Sequence, residues 1–592
     1  MSGRATPDQS QRTTRKLRII AQDPGFRKKR DGSGSIVTAS VELPAEELLP
    51  GPTGYRVKVI DYDVSTDTLY KPAEITNSGD ADAYHDADDK ELLADPRFHA
   101  QNVYAIVMRT LARFEKALGR RVQWGCGGHQ LHIAPHAFAE ANAFYSRADR
   151  SLFFGYFKGR TGKTIFTCLS HDVIAHEATH AILDGLRSRF LEPSSPDQAA
   201  FHEGFADIVS MLSIFSLPDI VGAMLDDATD RDLPEGAAAP EADGDDPHAL
   251  IDARLLEPEW LKKSAIFGLA EEMGRDLSGV RGDALRRSVL LEPGEALDDE
   301  EFLEEHRRGE LIVAAMLNAF LEIWIRRTES LGTIVAGRKD RRAVVEAGAR
   351  VADHLLTMAI RAIDYCPPVD VSFSDYLSAL LTVDREVVPD DDRYGYREAL
   401  LEHFDRFGIA KGRGSGEDGT WQRCTAKLGY GRTHFDSLLR DKHEVFRFLW
   451  ENRDELEIDT RGYIEIESVR PAMRIAPDGF MLRETVAEYV QILTLTAKEF
   501  REIGIDVPEG MEDGKRLRIY GGGTLIFDEY GQMKYQIANH LAKDEGDRER
   551  QARRLDHLWT RGILDAPDDD SARLAGLHLA RAGLEGGVNA AR

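Results

Sequence analysis

The sequence predicts a mixed α+β protein in which strands gather towards the two ends and helices fill the middle. Three observations carry that expectation. Alternating segments such as Tyr55-Arg-Val-Lys-Val-Ile, punctuated by Pro-Gly, mark residues 35–95 as a strand-rich N-terminal region. From about Arg97 the apolar period becomes helical, with Val103, Ile106, Val107, Leu111 and Phe114 on one face, and helices dominate to about Phe407. Beyond the glycine-rich linker 411–420 a mixed α/β accessory region, 421–570, carries a hairpin pattern: Thr524–Phe527, a turn at Asp528–Gly531, then Met533–Ile537.

The remaining segments read as punctuation. Residues 1–34 are polar and basic and end in Asp31-Gly-Ser-Gly34, which predicts a disordered arm. Asp80–Asp89 lacks the residue order of a calcium loop and reads as a solvated acidic loop. Strand-like stretches fall at Gln130–Ile133 and Ser151–Phe157. Residues 226–246 hold nine acidic residues and one arginine and read as a mobile acidic insertion. Residues 571–592 read as a frayed tail, and no internal repeat is evident.

Composition narrows the function classes. The 592 residues carry 76 Lys+Arg against 102 Asp+Glu, a net charge of −26. Nucleic acid is not an expected partner, because phosphate backbones are bound by Lys and Arg. The longest apolar run, Leu311–Ile325, is 15 residues and is interrupted by Asn318 and Glu322. A membrane span needs about 20, so none is expected. Nine basic residues between Met1 and Asp31 have no apolar stretch behind them, which predicts no secretory signal. Four scattered cysteines without a CxxC pair read as reduced thiols, and the expected location is cytoplasmic.

The chemistry concentrates at residues 171–184, around His176-Glu177-Ala178-Thr179-His180. Positions i and i+4 of a helix share a face, so both imidazoles can reach one zinc ion. Glu177 then sits beside the metal without ligating it, placed to take a proton from water. With 18 histidines in the chain, the HExxH spacing arises by chance ~0.04 times, so the motif needs a third ligand to decide it. That ligand is Glu203, in His202-Glu203-Gly-Phe-Ala-Asp207. Two His, one Glu and an open position make a catalytic zinc set. Asp207, at i+4 from Glu203, can accept the outer N–H of a ligating histidine. One further segment is a decoy: Gly159-Arg-Thr-Gly-Lys-Thr164 ends like a phosphate loop, but Phe157 stands where the motif needs its first glycine.

The stretch from about Pro96 to Ile409 resembles the thermolysin and fungalysin families of zinc endopeptidases. Besides HExxH and Glu203, the resemblance rests on four segments. Asn142-Ala-Phe-Tyr145 is similar to the edge segment that binds substrate backbone, and Asp172-Val-Ile-Ala-His176 to the approach to the zinc helix. Gly282-Asp-Ala-Leu-Arg286 is similar to the segment whose Arg binds a substrate carbonyl, and His306-Arg-Arg-Gly-Glu310 to the fungalysin His-x-x-Gly-Glu pattern. Residues 366–384 resemble the closing helix of that domain. The resemblance implies a metallopeptidase domain over 96–410, with a strand-containing N-terminal lobe, a helical C-terminal lobe and zinc in the cleft between them. It implies one zinc per chain on His176, His180 and Glu203, with Glu177 as general base and His306, with Arg286, as oxyanion donors. Asn142 and the Ala143 backbone would then hold a peptide or protein substrate as an added strand. Asp298, Asp299 and Glu301 are the acids considered for orienting His306, with the choice open.

The chain also departs from these families. The helpful tyrosine that follows the zinc helix in thermolysin falls near Phe190-Leu191, and no propeptide is evident. Restraint by a regulatory protein partner, or by the acidic insertion and the region beyond 411, is therefore expected. The rival expectation is a non-catalytic zinc-stabilised binding protein on the same scaffold. Glu177 discriminates the two, since a structural zinc site needs no general base.

Overall fold

The computed structural model describes residues 14–28, 34–75, 82–227 apart from 160, 161 and 193, 249–262, 288, 291, 294, 297, and 299–564 apart from 336, 391, 392, 476–478 and 480. Arg286, Asp298, the tail 571–592 and all of the acidic insertion beyond Asp227 lie outside the described residues. The architecture is mixed α+β.

The N-terminal segment is not a free arm where it is described. Thr14–Ile20 forms strand β1, paired antiparallel with β2 (Thr38–Pro44) from Thr14↔Pro44 to Ile20↔Thr38. Leu17 and Ile19 point into the core, and the Ile20 N–H donates to Asn102 Oδ1 at 3.0 Å. Basic composition conceals this alternation in the sequence, yet Arg15, Arg18 and Arg27 have partners. Asp82, from the acidic loop, accepts from the Arg18 N–H and from Gln101, and Asp89 pairs with Arg27 at 3.2 Å. The loop that reads as solvated thus anchors the strand that reads as disordered.

Helix α1 (Pro96–Leu118) is started by Asp95 and a proline at its first turn, and stopped by Gly119 at φ 68°. It is buried on nearly every side, beneath a five-stranded sheet. That sheet contains β3 (Val57–Val59), β4 (Leu131–Phe138), β5 (Ala143–Ser146), β6 (Ser151–Lys158) and β7 (Thr164–Phe166). The path runs β7-β6-β4-β3, with β3 and β6 both parallel to β4, while β5 pairs antiparallel along β6. The Gly159–Thr164 segment lies in the β6–β7 connection, so no helix follows its glycines as a phosphate loop requires.

The helical part centres on α2 (His171–Leu186), α3 (Pro196–Phe215), α4 (Glu305–Glu329), α5 (Arg341–Ala362) and α6 (Phe373–Val387). Ser195 caps α3 and a proline follows at its first turn. α3 and α4 cross glycine on glycine. A Cβ on Gly204 would lie 2.8 Å from the Gly309 carbonyl, and one on Gly309 would lie 2.9 Å from the Ala200 carbonyl. No single described helix is long and apolar enough to cross a membrane.

Residues 411–420 are not a hinge. The Gly412 N–H donates to Ser378 Oγ at 2.8 Å, and Trp421 is buried with its indole N–H on the Tyr365 carbonyl at 2.9 Å. Beyond them an antiparallel meander runs through β8 (Tyr463–Ile475), β9 (Met481–Thr496), β10 (Arg516–Asp528) and β11 (Met533–Asn539), followed by α7 (Glu545–Thr560). The expected hairpin is β10–β11, turning at residues 528–532. Ile526, Tyr535 and Ile537 belong to the same core as the helices, so the C-terminal region is packed onto the rest rather than strung from it.

Candidate metal centre

α2 is apolar apart from its chemistry: Val173, Ile174, Ala181, Ile182 and Leu183 are buried, which fixes the helix against α1 and α3. That leaves the i, i+4 pair on one face. His176 Nε2 and His180 Nε2 lie 2.9 Å apart. α3 brings Glu203 to them, with Oε2 3.4 Å from His176 Nε2 and Oε1 3.6 Å from His180 Nε2. The three side chains offer ligand atoms within 4.8 Å of one another, so they could hold a metal ion.

The outer nitrogens have partners too. His176 Nδ1 lies 2.8 Å from Asp207 Oδ1, the contact expected from the Glu203–Asp207 spacing. His180 Nδ1 lies 2.8 Å from His202 Nδ1. Holding the outer nitrogens turns both Nε2 atoms inward, the usual orientation of metal-ligating imidazoles. His202 has no role in the sequence reading. Its only signal is that it precedes Glu203 on a buried helix, and the partner it meets depends on how α2 and α3 cross.

Glu177 is buried, and its Oε2 accepts the Tyr145 backbone N–H at 3.1 Å. Tyr145 belongs to β5, which pairs with β6 along one side and faces α2 with the other. Asn142 and Ala143 open this same strand. Asn142 is buried, its Oδ1 accepts from the Ala143 N–H at 2.9 Å, and its Nδ2 has no hydrogen-bond partner among the described residues. The Tyr145 hydroxyl is taken up by Asp184 at 2.9 Å, and Phe190 is buried against Phe201.

His306 stands in the first turn of α4, and the Gly204–Gly309 crossing sets that turn on Glu203. His306 Nε2 lies 3.3 Å from Glu203 Oε2, and its side chain is 10% exposed, so it is no surface histidine. Among the described residues the acid on His306 Nδ1 is Glu304, at 2.8 Å; of the acids considered from sequence, Asp298 lies outside the described residues. Glu304 is the N-cap of α4: Oε2 accepts the Arg307 N–H at 2.8 Å, and this bends the carboxylate back over residue 306.

The electrostatics match a cation site. Burial would lower the His176 pKa, but the charge and hydrogen bond of Asp207, with help from Glu203 and Glu177, outweigh it and raise it to about 10. Burial would raise Glu203, but His180 and His306 hold it well below the usual carboxylate range. Burial likewise opposes Glu304, which His306 brings down to about 2. Three carboxylates around two imidazoles are stabilised by positive charge between them. Two imidazole nitrogens and a carboxylate oxygen are a donor set that suits zinc. No protein-family model matches the chain, and comparison with curated protein sequences gives no match.

Proposed function

We propose that the chain is a zinc-dependent endopeptidase and that residues 96–410 form a thermolysin-like catalytic domain. The observation that carries this reading is the convergence of His176, His180 and Glu203 with two further groups, Glu177 and His306, that a purely structural metal site does not need.

Bound by His176, His180 and Glu203, zinc supplies a Lewis acid that acidifies water and polarises a carbonyl. Glu177 acts as general base: held by the Tyr145 amide, its carboxylate takes the proton of the attacking water and passes it to the leaving amine. His306 donates from Nε2 to the developing oxyanion. Glu304 on Nδ1 favours the doubly protonated ring, which keeps a hydrogen on Nε2. Arg286 is a second donor in this reading. A substrate peptide adds to β5 as a further strand, taken by Asn142 Nδ2 and the backbone beside Ala143.

The test is Glu177→Gln. The chain should bind a zinc ion that His176→Ala loses, and Glu177→Gln should keep that zinc while peptide hydrolysis disappears. Wild-type hydrolysis by Glu177→Gln would remove Glu177 as the base, and a zinc-loaded wild-type chain that cleaves no peptide would point to the rival reading of a non-catalytic zinc protein. Protein purified without chelator that holds no zinc would end the proposal.

A further inference from the structure

Among the described residues, a second trio brings metal-ligating atoms within 4.8 Å of one another: His99, His136 and Cys168. It shares no residue with the first. His99 is in the first turn of α1, His136 in β4, and Cys168 in the short turn Thr167–Leu169 that leads into α2. His99 and His136 are 1% exposed and Cys168 is 0% exposed.

A proton count shows what the trio asks for. His99 Nε2 lies 3.1 Å from the Leu93 carbonyl, and His136 Nδ1 lies 2.9 Å from Asp61 Oδ2. A backbone carbonyl and a carboxylate can only accept, so both outer nitrogens need hydrogens. A neutral imidazole has one. Both inner nitrogens are then lone pairs, yet His99 Nδ1 and His136 Nε2 lie 2.8 Å apart, with Cys168 Sγ 4.0 Å from His136 Nε2. Three acceptor contacts face two protons, and a positive charge between the rings removes the conflict.

We propose that His99 Nδ1, His136 Nε2 and the Cys168 thiolate bind a second zinc ion. Asp61 and the Leu93 carbonyl already occupy the outer nitrogens, the arrangement that orients metal-bound imidazoles. Charge closes as well: Zn²⁺, one thiolate and the Asp61 carboxylate sum to zero, as a buried site favours. The site is buried, and the Phe166 ring packs 4.9 Å from His99 and 5.2 Å from His136. Soft sulfur among the donors selects zinc over magnesium or calcium. On binding, Cys168 gives up its thiol proton to solvent and forms the metal–sulfur bond. The role is that of a staple: it ties α1 and β4 to the turn that enters the HExxH helix three residues on.

Cobalt(II) separates this site from the first, whose donors include no sulfur. Metal-free full-length chain titrated with cobalt(II) should develop a thiolate-to-cobalt charge-transfer absorption. The band should survive in a His176→Ala, His180→Ala chain and vanish in Cys168→Ser. Zinc content should be two per wild-type chain and one in each variant. Should Cys168→Ser not fold, zinc-edge X-ray absorption on the His176→Ala, His180→Ala chain decides, with one sulfur at about 2.3 Å and two imidazole nitrogens at about 2.0 Å expected. A wild-type chain without the band, a band unchanged in Cys168→Ser, or a zinc shell free of sulfur would overturn the proposal and leave a proton shared between the two rings. Because the readouts follow sulfur, they hold whether or not the chain hydrolyses peptides.

Discussion

His306 shows most sharply what single residues can and cannot declare. Two neighbours place it, Glu203 at Nε2 and Glu304 at Nδ1, and together they hold the ring beside the residues that could bind a metal. If it stabilises an oxyanion, His306→Ala should keep zinc and a near-normal KM while kcat falls roughly 10²–10³-fold. Glu304→Gln should lower kcat by a smaller factor, because the ring stays but loses its charged partner. Wild-type kcat in a folded, zinc-loaded His306→Ala chain would return the donor role to Arg286. The candidate ligands His176 and His180 were legible in the sequence because i, i+4 spacing is a local property of one helix, and Asp207 follows from the same spacing to Glu203. His202 and Glu304 were not legible. The first meets His180 across two helices, and the second acts only because an N-cap folds its side chain back on its own helix. His99 and Cys168 carry no motif at all, and only the fold makes them neighbours of His136.

At the scale of elements, the crossing of α3 and α4 does the positioning. Gly309, part of the His306-Arg-Arg-Gly-Glu310 pattern, and Gly204 opposite it have a steric reason: a Cβ on either would enter the space that the other helix's backbone fills. Gly309→Ala places a methyl 2.9 Å from the Ala200 carbonyl and 3.0 Å from the Gly204 nitrogen, so the helices must part. Overpacking of this kind costs about 1–3 kcal/mol, read as a lower urea midpoint. The more telling outcome is functional. His306 rides on the displaced turn, so kcat should fall by about tenfold or more while zinc content holds, since a misplacement of about 1 Å can cost up to 10²-fold. Unchanged stability and turnover in Gly309→Ala would mean the crossing tolerates a methyl and does not set His306. The long helices were legible because their apolar period repeats over several turns. β1 was not, because three basic residues in seven outweighed a short alternation whose partners, Asp82 and Asn102, lie far along the chain.

For the whole molecule, the question is whether the C-terminal region is a lid or a wall. Its contacts favour a wall. The Met473 N–H of β8 donates to the Gly119 carbonyl at the end of α1, at 3.0 Å. Arg187, at the end of α2, pairs with Glu488 of β9 at 2.7 Å. Restraint of catalysis from this side would act through fixed contacts, such as the Arg561 guanidinium on the Leu303 carbonyl at 2.9 Å, three residues before His306. At the centre of the seam, Asp364 binds both terminal nitrogens of Arg120 at 2.6 Å and also pairs with Arg474, which in turn pairs with Glu484. Burial would raise the Asp364 pKa, but the Arg120 and Arg474 guanidiniums outweigh it and hold the carboxyl well below its usual range. Removing one member of such a buried network strands its partners' charge. Asp364→Asn should therefore destabilise the chain by about 3–5 kcal/mol at neutral pH. The sign of the pH dependence follows from the depressed value. The stabilisation is present above the unfolded pKa, near 4, and is lost as pH falls towards the folded one. Urea midpoints of wild type and Asp364→Asn should thus lie far apart at pH 7 and converge below about pH 4. Two curves that stay parallel down to acid pH would show that the carboxylate's shape, and not its charge, closes the seam.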